Sequence, residues 1–260
     1  MDTTKNRSNK KWRCIFYLIG IAVFCAFALG QDLSPEMRAD IDNRIKLQRN
    51  WDARSNSPGT ELEAVEVSHT GKGSKLIAMY ELRAKGLPPD LRYELLWLPT
   101  MAGSPKEIQS TGDVEIDRND GRVMNASTDP QRLVVPNSAP GEPYRWALVS
   151  KDGTHKAFIA VLPNAIQSTN NGCKVNVVRL MPKFELAFVQ FSGFPPQSEV
   201  NVRGNSAGEI HDFKLTTNAE GYVDTGILPF KAGKSSGTME LQTKTPKCSL
   251  KVSFKWGVIE

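Results

Sequence analysis

Histidine is scarce in this chain: His69, His155 and His211 stand far apart, with neither the H-x-x-x-H nor the H-x-H spacing that a metal site draws on. They read as surface or strand-end residues, and no metal or cofactor is expected. No glycine-rich phosphate loop follows a strand and opens a helix, which removes the nucleotide-binding folds built on that loop. Helical periodicity is missing outside residues 34–51. Net charge is missing too once the start of the chain is set aside. Of 33 Lys and Arg against 28 Asp and Glu, residues 1–30 hold five bases and only Asp2, leaving 28 against 27 and a balance of +1. The nucleic-acid partner that a basic whole-chain composition invites is thereby excluded.

What residues 1–30 contain is an export signal. Lys5, Arg7, Lys10, Lys11 and Arg13 precede the apolar run "CIFYLIGIAVFCAFAL", and Ala28 and Gly30 supply small residues before Gln31. That is the layout of a secretory signal peptide cleaved after Gly30. An uncleaved membrane anchor is the alternative, because the run is at the short end of what spans a bilayer, and the basic flank keeps its start cytoplasmic in either case. Cys25 follows the bulky Phe24, which does not suit a lipoprotein site. The expected localisation is therefore periplasmic, cell-surface or secreted, with single-pass anchoring as the alternative and membrane contact only through this segment.

With Cys14 and Cys25 in the signal, the mature chain keeps Cys173 and Cys248. An even pair in an exported protein reads as a structural disulfide. Catalytic constellations are absent where they would be looked for. "GNSAG" (Gly204 to Gly208) matches the nucleophile-elbow pattern around Ser206, but strand-like sequence flanks it on both sides, where an elbow needs a helix to follow. Glu209 is the only acid between Ser206 and His211, and no histidine comes later, so no triad can be assembled in order. "DRNDG" (Asp117 to Gly121) resembles a calcium loop, yet Gly121 stands at a ligand position and Thr128 where the bidentate Glu belongs. It reads as a hairpin turn, and the chain as no enzyme.

The most informative feature is repetition. "AKGLPPDLRYEL" (Ala84 to Leu95) and "FSGFPPQSEVNV" (Phe191 to Val202) put Gly86 and Gly193 at an offset of 107 residues. Gly121 and Gly221 follow at 100, then Pro136 and Pro229, and Leu148 and Leu241, at 93. Two steps of seven place extra loop residues in the first copy, within "PTMAGSPKEIQSTG" and "NASTDPQR". Both copies alternate apolar and polar residues between Gly-, Asn- and Asp-rich turns, as in "LRYELLW" and "SEVNVRG". Many short strands with Pro and Gly turns predict an all-β chain of sandwiches or barrels. In each Gly-φ-Pro-Pro (φ an apolar residue) the glycine permits a bend, Leu87 or Phe194 turns inward, and two prolines end one strand and aim the next at the other sheet.

This pattern of turns resembles bacterial secreted immunoglobulin-like and fibronectin-type modules. The resemblance covers residues 60–164 and 172–257 and implies two tandem immunoglobulin-like β-sandwiches. The expected organisation is a signal segment (1–30), a short helix and linker (31–59), a first sandwich (60–164), a linker (165–171) and a second sandwich with the disulfide (172–260). The helix is capped by Ser34, opened by Pro35, and carries a thin stripe of Met37, Ile41 and Ile45. Tyr93, Trp97, Tyr144 and Trp146 cluster in the first copy, either as core or as a ligand platform for sugars. The expected function is a non-catalytic binding, adhesion or structural role in the cell envelope, with an envelope protein or polysaccharide as partner. The alternatives are a carbohydrate-binding or enzyme-accessory module, and an enzyme with an unrecognised site.

Overall fold

A computed structural model describes residues 34–257 apart from 73–75, 99, 102–103, 106–107, 137–138 and 182–185. The segment expected to direct export, with Cys14 and Cys25, lies outside the described residues. Helix α1 (Pro35–Asn50) comes first, followed by a 3-10 turn at Ala53–Ser55. The strands of the first half are β1 (Glu61–Thr70), β2 (Ile77–Lys85), β3 (Tyr93–Leu98), β4 (Thr100–Met101), β5 (Ser104–Pro105), β6 (Gln109–Ile116), β7 (Val123–Met124), β8 (Arg132–Pro136), β9 (Tyr144–Ser150) and β10 (Lys156–Val161). Those of the second are β11 (Ile166–Asn170), β12 (Cys173–Met181), β13 (Leu186–Ser192), β14 (Glu199–Ser206), β15 (Glu209–Thr216), β16 (Val223–Ile227), β17 (Gly237–Lys244) and β18 (Ser249–Trp256).

The chain is all-β beyond its N-terminal helix. In the first half the antiparallel sheet β1-β2-β8 faces the sheet β10-β9-β3-β6-β7 over a core that includes Tyr80, Leu82, Tyr93, Leu95, Val135, Trp146 and Leu148. In the second, β11-β12-β13-β16 faces β15-β14-β17-β18 over Val175, Val177, Phe191, Val200, Val202, Leu241 and Trp256. Alternation puts every second side chain of these strands between the sheets, which is why "EVNVRGNS" reads exposed, buried, exposed, buried along β14.

Internal repetition extends to the topology, with β7 and β11 as the edge strands that have no counterpart. β1, β2 and β8 pair as β12, β13 and β16 do, and the order β10-β9-β3-β6 repeats as β18-β17-β14-β15. The extra residues of the first copy fall where the shrinking offset places them: the β4-β5 ribbon lies between β3 and β6, and β7 with the Asn125–Asp129 turn precedes β8. Each Gly-φ-Pro-Pro carries the chain from one sheet to the other, from β2 to β3 and from β13 to β14. Gly86 (φ 70°) and Gly193 (φ 73°) take the left-handed region, and a Cβ on either would run into the carbonyl of Gly59 or Gly172. Leu87 and Phe194 turn into the two cores. The first Pro carbonyl is satisfied both times, by the Tyr93 hydroxyl on Pro88 O (2.9 Å) and by the Thr217 hydroxyl on Pro195 O (2.7 Å).

One expectation is corrected. Residues 166–170, expected within a linker, form β11, paired along its whole length with β12. Ile166 gains cover from the second core and the backbone gains a ladder, so the segment has more to lose as free chain than as an edge strand. Asn56 and Ser57, in the other expected linker, are also fastened: the Phe158 amide donates to Asn56 Oδ1 at 2.7 Å and the Lys156 amide to Ser57 Oγ at 3.0 Å.

Candidate functional site

Helix α1 begins as its sequence dictates. The Ser34 hydroxyl accepts from the Met37 amide at 3.2 Å, Pro35 opens the first turn, and Arg44 pairs with Asp40 at 3.0 Å. Its narrow apolar stripe does not face solvent. Ile41 and Ile45 lie on the outer face of the β12-β13-β16 part of the second sandwich, against Val178, Leu180, Leu186, Phe188 and Leu228. Gly226 clears the seat, since a Cβ there would press on Ile45 Cδ1. Arg44 is buried beside the stripe and donates to the Leu180 carbonyl at 3.3 Å.

One turn further, the same helix reaches the first sandwich. Trp51 is only 4% exposed and covers the outward side of the β3-β9-β10 region, touching Leu98 and Ala147 with Phe158 edge-on at 5.6 Å. The end of the helix is also clamped to the second sandwich by charge. Asp224 on β16 receives Arg49 at 2.6 Å, Arg54 at 3.4 Å and the Tyr222 hydroxyl at 3.0 Å, while the Arg54 guanidinium lies over the Tyr222 ring at 4.2 Å. Burial and the Asp224 charge push the Tyr222 phenol up, so it stays neutral and donates. Burial works against the Arg54 charge, but Asp52, Tyr222 and Asp224 together outweigh it and raise its pKa.

A third tie needs no helix. The Gly141 amide donates to Asn164 O at 2.7 Å, and the Arg179 amide on β12 donates to Gly141 O at 2.8 Å. Gly141 (φ 74°) has room for nothing larger: a Cβ would meet Ile166 Cδ1 at 2.8 Å and Arg179 Cγ at 3.2 Å. Helix, clamp and loop together set the two sandwiches against each other.

The repeat makes one difference between the copies conspicuous. The outward side of β12-β13-β16 is covered by α1, whereas its counterpart on β1-β2-β8 has no helix over it among the described residues. There Val134 is 55% exposed, Val67 44% and Ile77 43%, with Met79 opposite Val134 and Pro136 opposite Ile77 in the register. Charged pairs follow along the same side, Arg132 with Glu81 at 3.4 Å next to this apolar end and Lys85 with Glu61 at 3.4 Å at the far end of β2. This is the candidate interaction surface.

The residues singled out from the sequence go elsewhere. Ser206 ends β14 and is 5% exposed; its hydroxyl donates to the Pro229 carbonyl and accepts from Trp256 Nε1 at 3.1 Å. It fastens a core tryptophan. His211 stands opposite Gly204 in the ladder, 3.9 Å from Glu209. His69 lies 2.7 Å from Glu66 near the end of β1, and His155 lies 2.8 Å from the Thr154 hydroxyl in the β9–β10 hairpin. In "DRNDG" the Asn119 amide binds Asp117 Oδ1 at 2.7 Å and Arg122 pairs with Asp120 at 2.6 Å, a closed turn. Among the described residues no group of three or more His, Cys, Asp or Glu side chains is placed to hold a metal.

Of the four aromatic residues, Tyr93 is fully buried and Trp146 4% exposed, while Trp97 and Tyr144 are partly buried and pack against the same core, Tyr144 stacked on Trp146 at 6.3 Å. Cys173 and Cys248 form a disulfide, joining the start of β12 in one sheet to the segment that opens β18 in the other. Trp51, Arg49, Arg54, Tyr222 and Asp224 escape sequence reading. The trace in the sequence is a tryptophan placed just past the end of a helix with a thin apolar stripe.

No protein-family model matches this chain, and no curated protein matches it. A solved structure described as a tetra-tandem repeat in the extending region of a large adhesion protein aligns with 77% of this chain at 10% identity and a TM-score of 0.24. The alignment spans about half of that structure, 48% of its length.

Proposed function

We propose that the chain is an exported, non-catalytic protein of two tandem immunoglobulin-like modules, residues 60–164 and 172–260, which holds a binding surface at a set orientation for an envelope macromolecule. Antiparallel strands divided between two facing sheets, with the second-to-third strand connection crossing between them, agree with immunoglobulin-like modules. The basic and apolar start of the chain together with the use of both remaining cysteines in one disulfide supports export. Ser206 is committed to Pro229 and Trp256, which supports a structural part for the one catalytic-looking motif.

The observation that carries the reading is the asymmetry between the copies. The same sheet face is covered by α1 in one and has no helix over it among the described residues in the other, with Val67, Ile77 and Val134 exposed on a body whose orientation is held by Trp51 and the Asp224 clamp. Isolated exposed apolar residues are ordinary, but grouped on one rigid face they suit a partner protein or polysaccharide.

Crosslinking of the mature chain in its native envelope, compared with the double variant Ile77→Glu, Val134→Glu, tests this. Wild type is expected to be recovered joined to an envelope component, and the variant, folded equally well by circular dichroism, to lose that adduct. Equal recovery of both, or turnover of a substrate by the purified chain, refutes the proposal.

A further inference from the structure

The seat of α1 on the second sandwich has a counterpart, position by position, on the first. Tyr80 stands opposite Leu133 in the β2-β8 ladder as Ala187 stands opposite Ile227 in β13-β16, and Lys85 opposite Glu61 as Ser192 opposite Lys174. Even the irregularity recurs. One residue is passed over between Glu66 and Ser68 on β1 and between Arg179 and Met181 on β12, so Val67 and Leu180 are the same bulged residue. In this register Val178, Leu180, Leu186 and Leu228, which pack with Ile41 and Ile45, become Val65, Val67, Met79 and Val134. A sheet face that meets only water alternates to polar residues, yet all four stay apolar. Leu180 and Leu228 are 7% and 4% exposed under the helix, whereas Val67 and Val134 are 44% and 55% exposed.

Two positions of the seat differ, and they define what the occupant carries. Helix α1 runs back along β16: Arg49 reaches Asp224 at 2.6 Å, and a Cβ on Gly226 would press on Ile45 Cδ1. Four helical residues rise about 6 Å and two strand residues about 6.6 Å. Continued in step, the pairing sets Ile41 at Leu228 and Met37 at Phe230, in agreement with the cluster these four share. On the first sandwich the counterparts of Gly226, Leu228 and Phe230 are Arg132, Val134 and Pro136. Phe188, opposite Gly226, becomes Glu81, opposite Arg132 and joined to it at 3.4 Å, with the Arg132 side chain 62% exposed. A helix lying here in the same sense meets apolar ground where α1 sets Met37 and Ile41, and a cation where it sets Ile45.

We propose that the outward face of β1-β2-β8 binds an amphipathic helix of a partner protein, with apolar residues at two positions four apart over Pro136, Val134 and Val67, and an acidic residue four further on that pairs with Arg132. This rests on the reading of that face as the interaction surface and narrows it to one kind of partner. The molecule carries its own template for the fit, since the same sheet of the second sandwich holds a helix with this spacing, and the charge of Arg132 replaces the gap at Gly226 as the element that selects the occupant.

The probe is a fluorescent peptide of residues 34–50 carrying Ile45→Glu, held helical by a lactam between the side chains of Asp42 and Lys46, which are exposed in α1. Titrated with residues 31–260, whose own α1 keeps its seat, it is expected to bind saturably, and the peptide with Ile45 retained to bind about tenfold more weakly. Val134→Glu in the protein is expected to weaken binding by about tenfold or more, and Arg132→Glu to reverse the preference toward a peptide carrying Ile45→Lys. Amide shifts on binding should fall on Met79 and Val134 and spare Phe188. Absence of saturable binding, or binding indifferent to both Val134→Glu and Arg132→Glu, overturns the helix. If the envelope adduct is then still lost in the Ile77→Glu, Val134→Glu variant, the face keeps its role with another occupant; if the adduct persists, the interaction surface itself is refuted. A concentration-dependent dimer in sedimentation that Val134→Glu abolishes gives the face to a second copy of the chain and likewise overturns the proposal.

Discussion

Replacing Trp51 by alanine separates the two parts of the architecture more cleanly than any other single change. Trp51 is 4% exposed, sits over Leu98 and Ala147, and meets Phe158 edge-on. An indole of this kind removes about 200 Å² from water, worth about 5 kcal/mol at 25 cal/mol per Å². Large-to-small core substitutions of tryptophan cost about 3 to 5 kcal/mol, the lower end applying where neighbours can collapse into the space. Ile41, Ile45 and the Asp224 clamp are untouched by the change, so α1 stays on the second sandwich while the first loses its cover. Calorimetry of residues 31–260 is expected to show the transition of residues 60–164 moving down by at least about 12 °C, since 1 kcal/mol is worth about 4 °C or more in a domain of this size. Hydrogen exchange gives the site-resolved version: amides of Leu96, Leu98 and Ala147 lose protection while those of Val189 and Phe191 keep theirs. A first-sandwich transition displaced by less than about 1 kcal/mol, or equal loss of protection in both sandwiches, refutes the account of Trp51 as the plug between helix and first sandwich.

Reduction of the disulfide should destabilise residues 172–260 and leave 60–164 nearly unchanged: a closed loop with a sequence separation of 75 gives up to about 4.5 kcal/mol by chain entropy, and equal destabilisation of both halves in a reducing scan would count against it. Ser206→Ala is expected to lower stability by about 1 to 3 kcal/mol in a denaturant titration, because Trp256 Nε1 and the Pro229 carbonyl lose their partner inside the core, and to leave any hydrolytic activity of the chain unaltered; loss of such activity with the fold intact would revive a nucleophile. Asp152 is held down to about 2 from 3.8 by hydrogen bonds from the Ser150 hydroxyl and then Thr154. Its contribution to folding is therefore present above 3.8 and lost as pH falls through about 2, a loss that Asp152→Asn should remove from the acid limb of the stability curve, with the Asp152 carboxyl titrated by NMR as the direct check.

Which parts of this were legible in advance follows from the range of the forces involved. The alternation in "SEVNVRG", the Gly-φ-Pro-Pro bends and the Asn- or Asp-led turns act within a few residues, so sequence reading finds strands, sheet changes and hairpins with the residues that make them. Tyr93 is legible as an inward residue for the same reason. Leu98 is not: alternation assigns it to the outer side of its sheet, and it is 2% exposed only because Trp51 arrives from 47 positions earlier in the chain. Ser206 shows the opposite failure, where a local motif suggests chemistry and a distant pair, Pro229 and Trp256, gives the hydroxyl its work.

By itself, the sequence determined the all-β class, the doubled architecture, the cysteine pairing and the capped helix. Each rests on period, turn chemistry or a small number of candidates, all readable along the chain. Only the tertiary structure decided that α1 lies on the second sandwich and reaches the first, and that residues 166–170 join a sheet. Those outcomes depend on which apolar faces meet. Hydrophobic burial is proportional to area and blind to direction, so a thin stripe of Ile41 and Ile45 declares that it will be covered, but the site that covers it is settled where the helix, both sheets and the Asp224 clamp fit together at once.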